Sequence, residues 1–358
     1  MVRYIKRNGP LSWTAESGGN MRARRITFVA PGRAELEEYE LPAVTPGSVL
    51  LESDCTLISP GTERDCLLGR AGGAFPKYLG YSGVARVLET GEGSRLHVGD
   101  RVVVYHGIHA SHLVKQESDL IRIENDALPS ASAVFSVVAA MGLQGLRRTR
   151  PEFGESVMVM GLGLLGLFAL QCARLSGALP LIALDGNPIR RKLAAELGAD
   201  LALSPEDSDW ADRVREATRG GAAVVLEVTG SPEAVNQGLR CMAPGGRIAL
   251  VGCSRTPTRE VDFYRDVHRP GITIYGAHNM ARPQEDCRPG CWTMRADVSL
   301  LLRAFAAGRV RTAPLVTDDL KPEQAAETFR RLAEGDASML GAVFHWKKNW
   351  EKNREGKR

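Results

Sequence analysis

The sequence predicts an α/β protein: a doubly wound parallel sheet preceded by a smaller domain of short strands. Three observations carry this. Strand-like runs crowd the first third of the chain and are separated by glycine turns. Beyond that third, strand and helix patterns alternate. At the junction lies a strand, glycine turn and helix: Val157–Met160, then Gly161-Leu-Gly163-Leu-Leu-Gly166, then an apolar helical stretch from Leu164 to Leu175.

In chain order, Met1–Asn20 is polar and aperiodic, and Met21 reads as an alternative start, leaving residues 1–20 as an extension or disordered arm. From Ala23 a hairpin turns at Pro31-Gly32. Val49–Ile58 is a strand, and Ser59-Pro-Gly-Thr-Glu63 reads as a loop. Strands follow within Tyr78–Thr90 and Val98–Val104, with an extended piece on to Ile123, the pattern of a compact barrel-like domain. Pro129–Arg148 is helical. After the glycine turn come a strand Pro180–Leu184, a helix Arg190–Leu197, a strand Leu201–Leu203, a helix Trp210–Thr218 and a strand Ala223–Glu227. Helix Pro232–Met242 and strands Arg247–Val251 and Ile272–Gly276 complete the alternation. Helices Val298–Ala307 and Pro322–Glu334 precede a last strand, Gly341–Trp346, expected to return to the first domain.

Composition narrows the function classes. The 358 residues are 25% charged and 44% hydrophobic, with net charge +4, the balance of an ordinary globular protein of two domains. Much of the basic excess lies near the two ends, and no aromatic–basic interleaving accompanies it, so nucleic acid is not an expected partner. No apolar run reaches membrane-spanning length and no signal-peptide core is visible, so a cytoplasmic location without membrane attachment is expected. The cysteines number seven, and an odd set in strand and helix patterns reads as buried thiols of a reducing compartment. Cys287 and Cys291 form a CxxxC with no second ligand pair nearby, so free thiols rather than zinc are expected there.

The glycine motif carries chemistry. In a dinucleotide fingerprint the first glycine permits the tight turn, the second lets backbone approach a pyrophosphate, and the third lets helix pack on strand. Gly161, Gly163 and Gly166 occupy these positions, and the amides of Leu164 and Leu165 open the helix. The next strand ends in Asp185, at the distance where an acid accepts hydrogen bonds from both hydroxyls of an adenosine ribose and repels a 2′-phosphate. NAD rather than NADP is the expected cofactor. Arg190 and Arg191 follow; a solvated helix face and a phosphate contact are the two readings, and Arg190 stays among the cofactor-binding candidates.

VGDRVVV, GLGLLG with Asp185, LEVTG and MAPGGRIALVG together resemble the medium-chain dehydrogenase/reductase superfamily, zinc-type alcohol dehydrogenase-like, over almost the whole chain. The resemblance implies a GroES-like catalytic domain over residues 21–138, completed by 279–358, around a Rossmann NAD-binding domain over 139–278. It adds Thr229 and Gly252 to the cofactor-binding residues. It also implies a homodimer or homotetramer acting on a small molecule. At the zinc-ligand positions of the family this chain carries Pro60, Tyr81 and, near the third, Ser136, and the four-cysteine structural lobe is missing. No metal is therefore expected. SPGTE with LGYSG resembles a zinc-free branch that includes bacteriochlorophyllide dehydrogenase-like proteins and the dehydrogenase half of some sugar oxidoreductases. Where many relatives place an arginine against the pyrophosphate, the best match is Leu340.

Without zinc, a side chain must handle the proton. Thr62 stands where the family hydroxyl meets the substrate oxygen, or else bonds its own loop backbone. Glu63 either orients a neighbour or makes a structural ion pair. Tyr81 is either a proton donor, if a nearby cation lowers its pKa, or an aromatic plug where the metal would sit. His278 has a side chain suited to acid–base work or to a subunit seam. His106, His109 and His112 are expected at the solvent or barrel edge. The leading function is hydride transfer between NAD and a secondary alcohol (a polyol, sugar or related hydroxylated metabolite) without catalytic zinc. The alternative enzyme is an NAD(P)H-dependent enoyl or quinone reductase, and the non-enzymatic alternative is a nucleotide-binding protein of the same fold.

Overall fold

The structure is a computed structural model and describes residues 22–347. The extension expected over residues 1–20 lies outside the described residues. The chain opens with a hairpin, β1 (Arg22–Ala30) and β2 (Arg33–Glu40), paired antiparallel. β3 (Ser48–Leu57) runs into α1 (Pro60–Leu67). Then come β4 (Ser82–Thr90), β5 (Arg101–Tyr105), β6 (His112–Gln116) and β7 (Leu120–Arg122). The short α2 (Ser130–Ala133) and the long α3 (Ser136–Thr149) lead out of this part.

The alternating part begins at β8 (Val157–Met160), α4 (Leu164–Leu175) and β9 (Leu181–Leu184). It continues through α5 (Pro188–Glu196), β10 (Leu201–Leu203), α6 (Trp210–Thr218) and β11 (Ala222–Glu227). α7 (Pro232–Arg240), β12 (Met242–Leu250) and β13 (Thr273–Gly276) finish it. The strands order as β10-β9-β8-β11-β12-β13, all parallel, with the strand order reversing at β8. Ligands bind at such a reversal because helices leave toward opposite faces and open a crevice at the strand ends.

α8 (Met294–Ala306), β14 (Val316–Leu320), α9 (Ala325–Glu334) and β15 (Gly341–His345) close the described chain. β15 lies between β14 and β3, in a seven-stranded sheet that also holds β4, β5, β6 and β7. The last strand thus returns to the first sheet, as the sequence led us to expect. β14 was not anticipated, since VTDDL carries two acids and alternates poorly, which suits its place at the sheet edge.

One departure bears on the site. Ser59–Glu63 reads as a loop but opens a helix, α1. Pro60 sits at the first helical position, where its missing N–H costs nothing and its fixed φ is already helical. Ser-Pro-Gly is a turn signal in sequence, and only the tertiary contacts of the next turn reveal the helix.

The core follows from strand alternation. Val157 and Val159 face a cluster with Phe135, just before α3, and Leu167 and Phe168 of α4, while Met158 and Met160 face Trp210 and Val214 on the other side. The first cluster also takes in Leu57 and Val343, so one apolar mass underlies both sheets. At about 25 cal/mol per Å² of buried apolar surface, this mass rather than any polar contact holds the site's elements in place.

Candidate active site

The nucleotide side of the crevice is built from backbone. Gly161 has φ +92, and a Cβ there would come within 2.8 Å of the Thr229 methyl. A Cβ on Gly166 would lie 1.8 Å from the Gly161 carbonyl oxygen, so α4 can sit this close only as glycine. At Gly163 an added Cβ would meet nothing within 4 Å, and no side chain caps α4. The first-turn amides of Leu164, Leu165 and Gly166 have no intrahelical partners and open on that space. The cradle fits a pyrophosphate. Leu164 is buried, so its part is its amide.

Thr229 and Gly252 shape the cradle's wall. A Cβ on Gly252 would come within 2.2 Å of Gly230 N, which locks the exit of β12 against the turn after β11. The buried Glu227 carboxylate accepts Thr229 N at 2.7 Å and Gly230 N at 3.1 Å, as well as the Thr229 hydroxyl. Burial raises the Glu227 pKa. The Thr229 hydroxyl is thus committed to the turn.

Asp185 ends β9 half-buried. Its carboxylate accepts Leu162 N at 2.6 Å and Asn187 N at 2.7 Å, and each oxygen retains a lone pair for a ribose hydroxyl. The two arginines that follow separate. Arg191 turns back to the Asp185 and Gly186 carbonyls, while Nε of Arg190 is buried with no hydrogen-bond partner in the structure.

The facing side is built from side chains. Tyr81, just before β4, packs against the core and donates its hydroxyl to Ser59 Oγ at 2.6 Å, with Met141 Sδ at 3.8 Å. Burial pushes the phenol above its ordinary value, the Ser59 hydrogen bond opposes this, and Glu63, Tyr105 and Cys253 add to the rise. No cation figures among these influences, so the expectation of a phenol lowered by a neighbouring charge is corrected. Glu63 is buried and accepts Ser59 N at 2.9 Å, with its other oxygen 3.0 Å from His109 Nε2. It orients neighbours and does not face the crevice. His109 is also buried, not at a barrel edge as its spacing suggested, and its Nδ1 lies 2.8 Å from Thr56 Oγ1. Phe329 and Phe344 wall it in. Thr62 lies on the exposed side of the first turn of α1.

His278 follows β13. Its ring is exposed and accepts Met280 N at 3.2 Å, capping its own turn, while its carbonyl is held by Gln144 Nε2 at 3.0 Å. Its neighbour Asn279 offsets part of the rise that burial imposes on the Tyr105 phenol. The segment is fastened by Arg282, which bonds Asn279 Oδ1 and the buried Asp297, itself bridged to Arg147. Across the crevice Arg255, beyond Gly252, pairs with Asp65 of α1 at 2.8 Å. Ser59 and Tyr105 were not singled out from the sequence, and His109 was singled out but placed at an edge; the serine of SPGTE was the one available signal.

A family profile described as "Zinc-binding dehydrogenase" matches residues 165–292. The L-threonine 3-dehydrogenase of Thermococcus kodakarensis is 30% identical over 345 residues, covering 86% of this chain and 93% of that protein. The chain belongs to the medium-chain dehydrogenase/reductase superfamily. The Pyrococcus abyssi protein of the same name is 28% identical over 344 residues, covering 86% and 94%. An alcohol dehydrogenase zinc-binding domain protein from Burkholderia ambifaria superposes with a TM-score of 0.80 at 21% identity, over 91% of this chain and 99% of that one. The superfamily is one of oxidoreductases, and its two-sheet architecture is the one observed here.

Within it, this chain's metal positions hold an unusual set. Pro60 opens α1, Tyr81 bonds Ser59, and Ser136 begins α3 with its hydroxyl buried and unpartnered. Proline offers no donor and two neutral hydroxyls are poor zinc ligands. Among the described residues no three His, Cys, Asp or Glu side chains cluster as a metal site, and all seven cysteines are unpaired. The donor set does not fit a catalytic zinc.

Proposed function

We propose that this protein is an NAD-dependent dehydrogenase of a secondary alcohol, a polyol, sugar or related hydroxylated metabolite, working without catalytic zinc. The observation that carries the reading is the hydrogen-bonded hydroxyl pair, Tyr81 with Ser59, with Tyr81 at a position to which the resemblance carries a metal ligand, in a chain that also holds a cradle ending in Asp185. Nicotinamide, when bound, supplies or accepts the hydride. The chain's residues do the rest. The α4 amides hold the pyrophosphate, Asp185 takes the ribose hydroxyls, and Asn279 and Tyr105 line the far wall. Tyr81 moves the proton at the substrate oxygen.

A second reading, an NADPH-dependent enoyl or quinone reductase, is favoured by one observation. Arg190 Nε, on the first turn of the helix that follows Asp185, is a buried donor with no partner, and a 2′-phosphate could accept from that side chain. Two further expectations remain part of the proposal. Among the described residues β13 is an edge strand of the parallel sheet with no further strand beyond it, which suits self-association as a homodimer or homotetramer. Unpaired cysteines suit a cytoplasmic location, and among the described residues no helix is long and apolar enough to cross a membrane.

The test is a screen of polyols and sugars with NAD, and of hydroxyketones, enones and quinones with NADH and NADPH, alongside metal analysis. Turnover of a hydroxylated compound with NAD in zinc-free protein is the expected result. Preference for NADPH with an enone or quinone would install the second reading, and one tightly bound zinc per chain would overturn the metal-free mechanism.

A further inference from the structure

Tyr81 and Ser59 belong to a closed ring of contacts. Tyr81 donates to Ser59 Oγ at 2.6 Å. Ser59 N donates to Glu63 Oε1 at 2.9 Å, and Glu63 Oε2 lies 3.0 Å from His109 Nε2. His109 N then donates to Leu79 O at 2.6 Å, two residues before Tyr81. Gly80 closes the ring: it has φ +122, and a Cβ there would lie 2.4 Å from His109 N. Outside the ring, Trp346 Nε1 donates to Thr56 Oγ1 at 3.0 Å, which leaves the Thr56 hydroxyl proton for His109 Nδ1. His109 Nε2–H then donates to the Glu63 carboxylate. Every buried polar group of the ring is satisfied except one: with Tyr81 donating to it, the Ser59 hydroxyl proton has no protein acceptor among these contacts.

A phenol that gives up its proton in a buried site leaves an oxyanion with no cation beside it, so a donor aimed at that oxygen decides the barrier. Ser59 Oγ is already at hydrogen-bond distance, and its backbone is pinned by Glu63. We propose that Ser59 is a catalytic residue: it accepts the Tyr81 hydrogen bond at rest and donates to the Tyr81 oxygen as that proton leaves. In the reducing direction, hydride passes from the reduced nicotinamide to the carbonyl carbon. The Tyr81 O–H bond breaks and the substrate O–H bond forms. The carbonyl is reduced, the nicotinamide is oxidised, and Ser59 rotates its O–H without losing it. Solvent later returns a proton to Tyr81. Glu63 and His109 are positioning residues that fix Ser59 and the Leu79–Tyr81 backbone relative to each other.

The inference rests on Tyr81 as the proton donor, and the test separates the two. On whichever compound the screen identifies, Ser59→Ala should lower kcat by roughly 10- to 100-fold, the loss of one hydrogen bond to a charge, with KM for NADH unchanged. Ser59→Thr should restore most of it. In a Tyr81→Phe background Ser59→Ala should add nothing. The proton inventory in mixed H₂O/D₂O should be curved for the wild type and linear for Ser59→Ala. In apoprotein labelled with 3-fluorotyrosine, the ¹⁹F resonance lost in Tyr81→Phe should move in Ser59→Ala and in His109→Gln. A slow Tyr81→Phe beside an unimpaired Ser59→Ala, an additive double variant or an unmoved resonance overturns the inference alone. Wild-type turnover in Tyr81→Phe, or no turnover of any compound, removes the reading and the inference with it. Thermal melts matched to wild type confirm that Ser59→Ala is folded; if it is not, Ser59→Gly and Ser59→Thr carry the comparison.

Discussion

The two walls of the crevice are made of different material. The nucleotide wall is backbone: glycines that let chain approach chain, a helix end and one carboxylate, all within the run from Gly161 to Asp185 apart from the Gly161–Thr229 and Gly230–Gly252 approaches. The chemical wall is Tyr81 with Ser59, backed by the buried side chains of residues 56, 63, 109 and 346 and tied to them by hydrogen bonds. A backbone wall is generic, since any nucleotide offers a pyrophosphate. A side-chain ring is particular, because moving one member misaims the others. Changes in the first wall should therefore read out as affinity, and changes in the second as turnover.

The largest expected effect tests that division directly. Tyr81→Phe should cut kcat by roughly 10²–10⁴-fold, about 3–5 kcal/mol of barrier, with NADH affinity intact because the ring still fills its space. Steady-state kinetics with an NADH fluorescence titration measure both; a loss confined to NADH binding would erase the distinction between the walls. Asp185→Ser should shift preference toward NADPH by about 1.5–3 kcal/mol, from a lost charge-assisted hydrogen bond and a relieved repulsion. The ratio of kcat/KM for the two cofactors reports it, and an unchanged ratio would remove Asp185 from the ribose. Gly166→Ala forces a methyl into the Gly161 carbonyl and should cost about 1–3 kcal/mol, visible in the thermal melt together with weakened NADH binding.

The smallest expected effect is the absence of one. Burial raises the Tyr81 phenol above its ordinary value of 10.0, so the acid proposed for reduction stays protonated through neutral pH and beyond. The sign follows: reduction should show no loss of rate on this group's account as pH rises from 6 to 9 (an assay window of roughly that span suffices). A limb near neutrality would instead mark a group other than Tyr81 as the acid.

The same contrast explains what could be read from sequence. Gly161, Gly163, Gly166 and Asp185 are legible because the physics that requires them is local: one turn, one helix start, one strand end. The parallel sheet was legible for the same reason, through runs such as Val157–Met160. His109 was misjudged because its burial is imposed by Phe329 and Phe344, far along the chain, and its own neighbours look extended and polar. Tyr81 was legible as a position but not as an environment, since what surrounds a phenol is set by the fold. Thr62 and Glu63 sit side by side, yet α1 sends one to the surface and the other into the ring, a difference visible only once that stretch is known to be helical.

The link from Thr56 to Trp346 spans 290 residues, and the Arg24–Glu323 pair spans 299. Non-local pairings of this kind form late, because loop closure must be met before they contribute. During synthesis the first sheet therefore waits: β3 emerges early, but its neighbour β15 is made only after the whole parallel sheet. The entire parallel sheet can fold in the interval, held between two halves of an unfinished partner. Competence for the nucleotide would then precede competence for the reaction, and a nascent chain stalled before residue 341 would bind the cofactor in a half-built molecule.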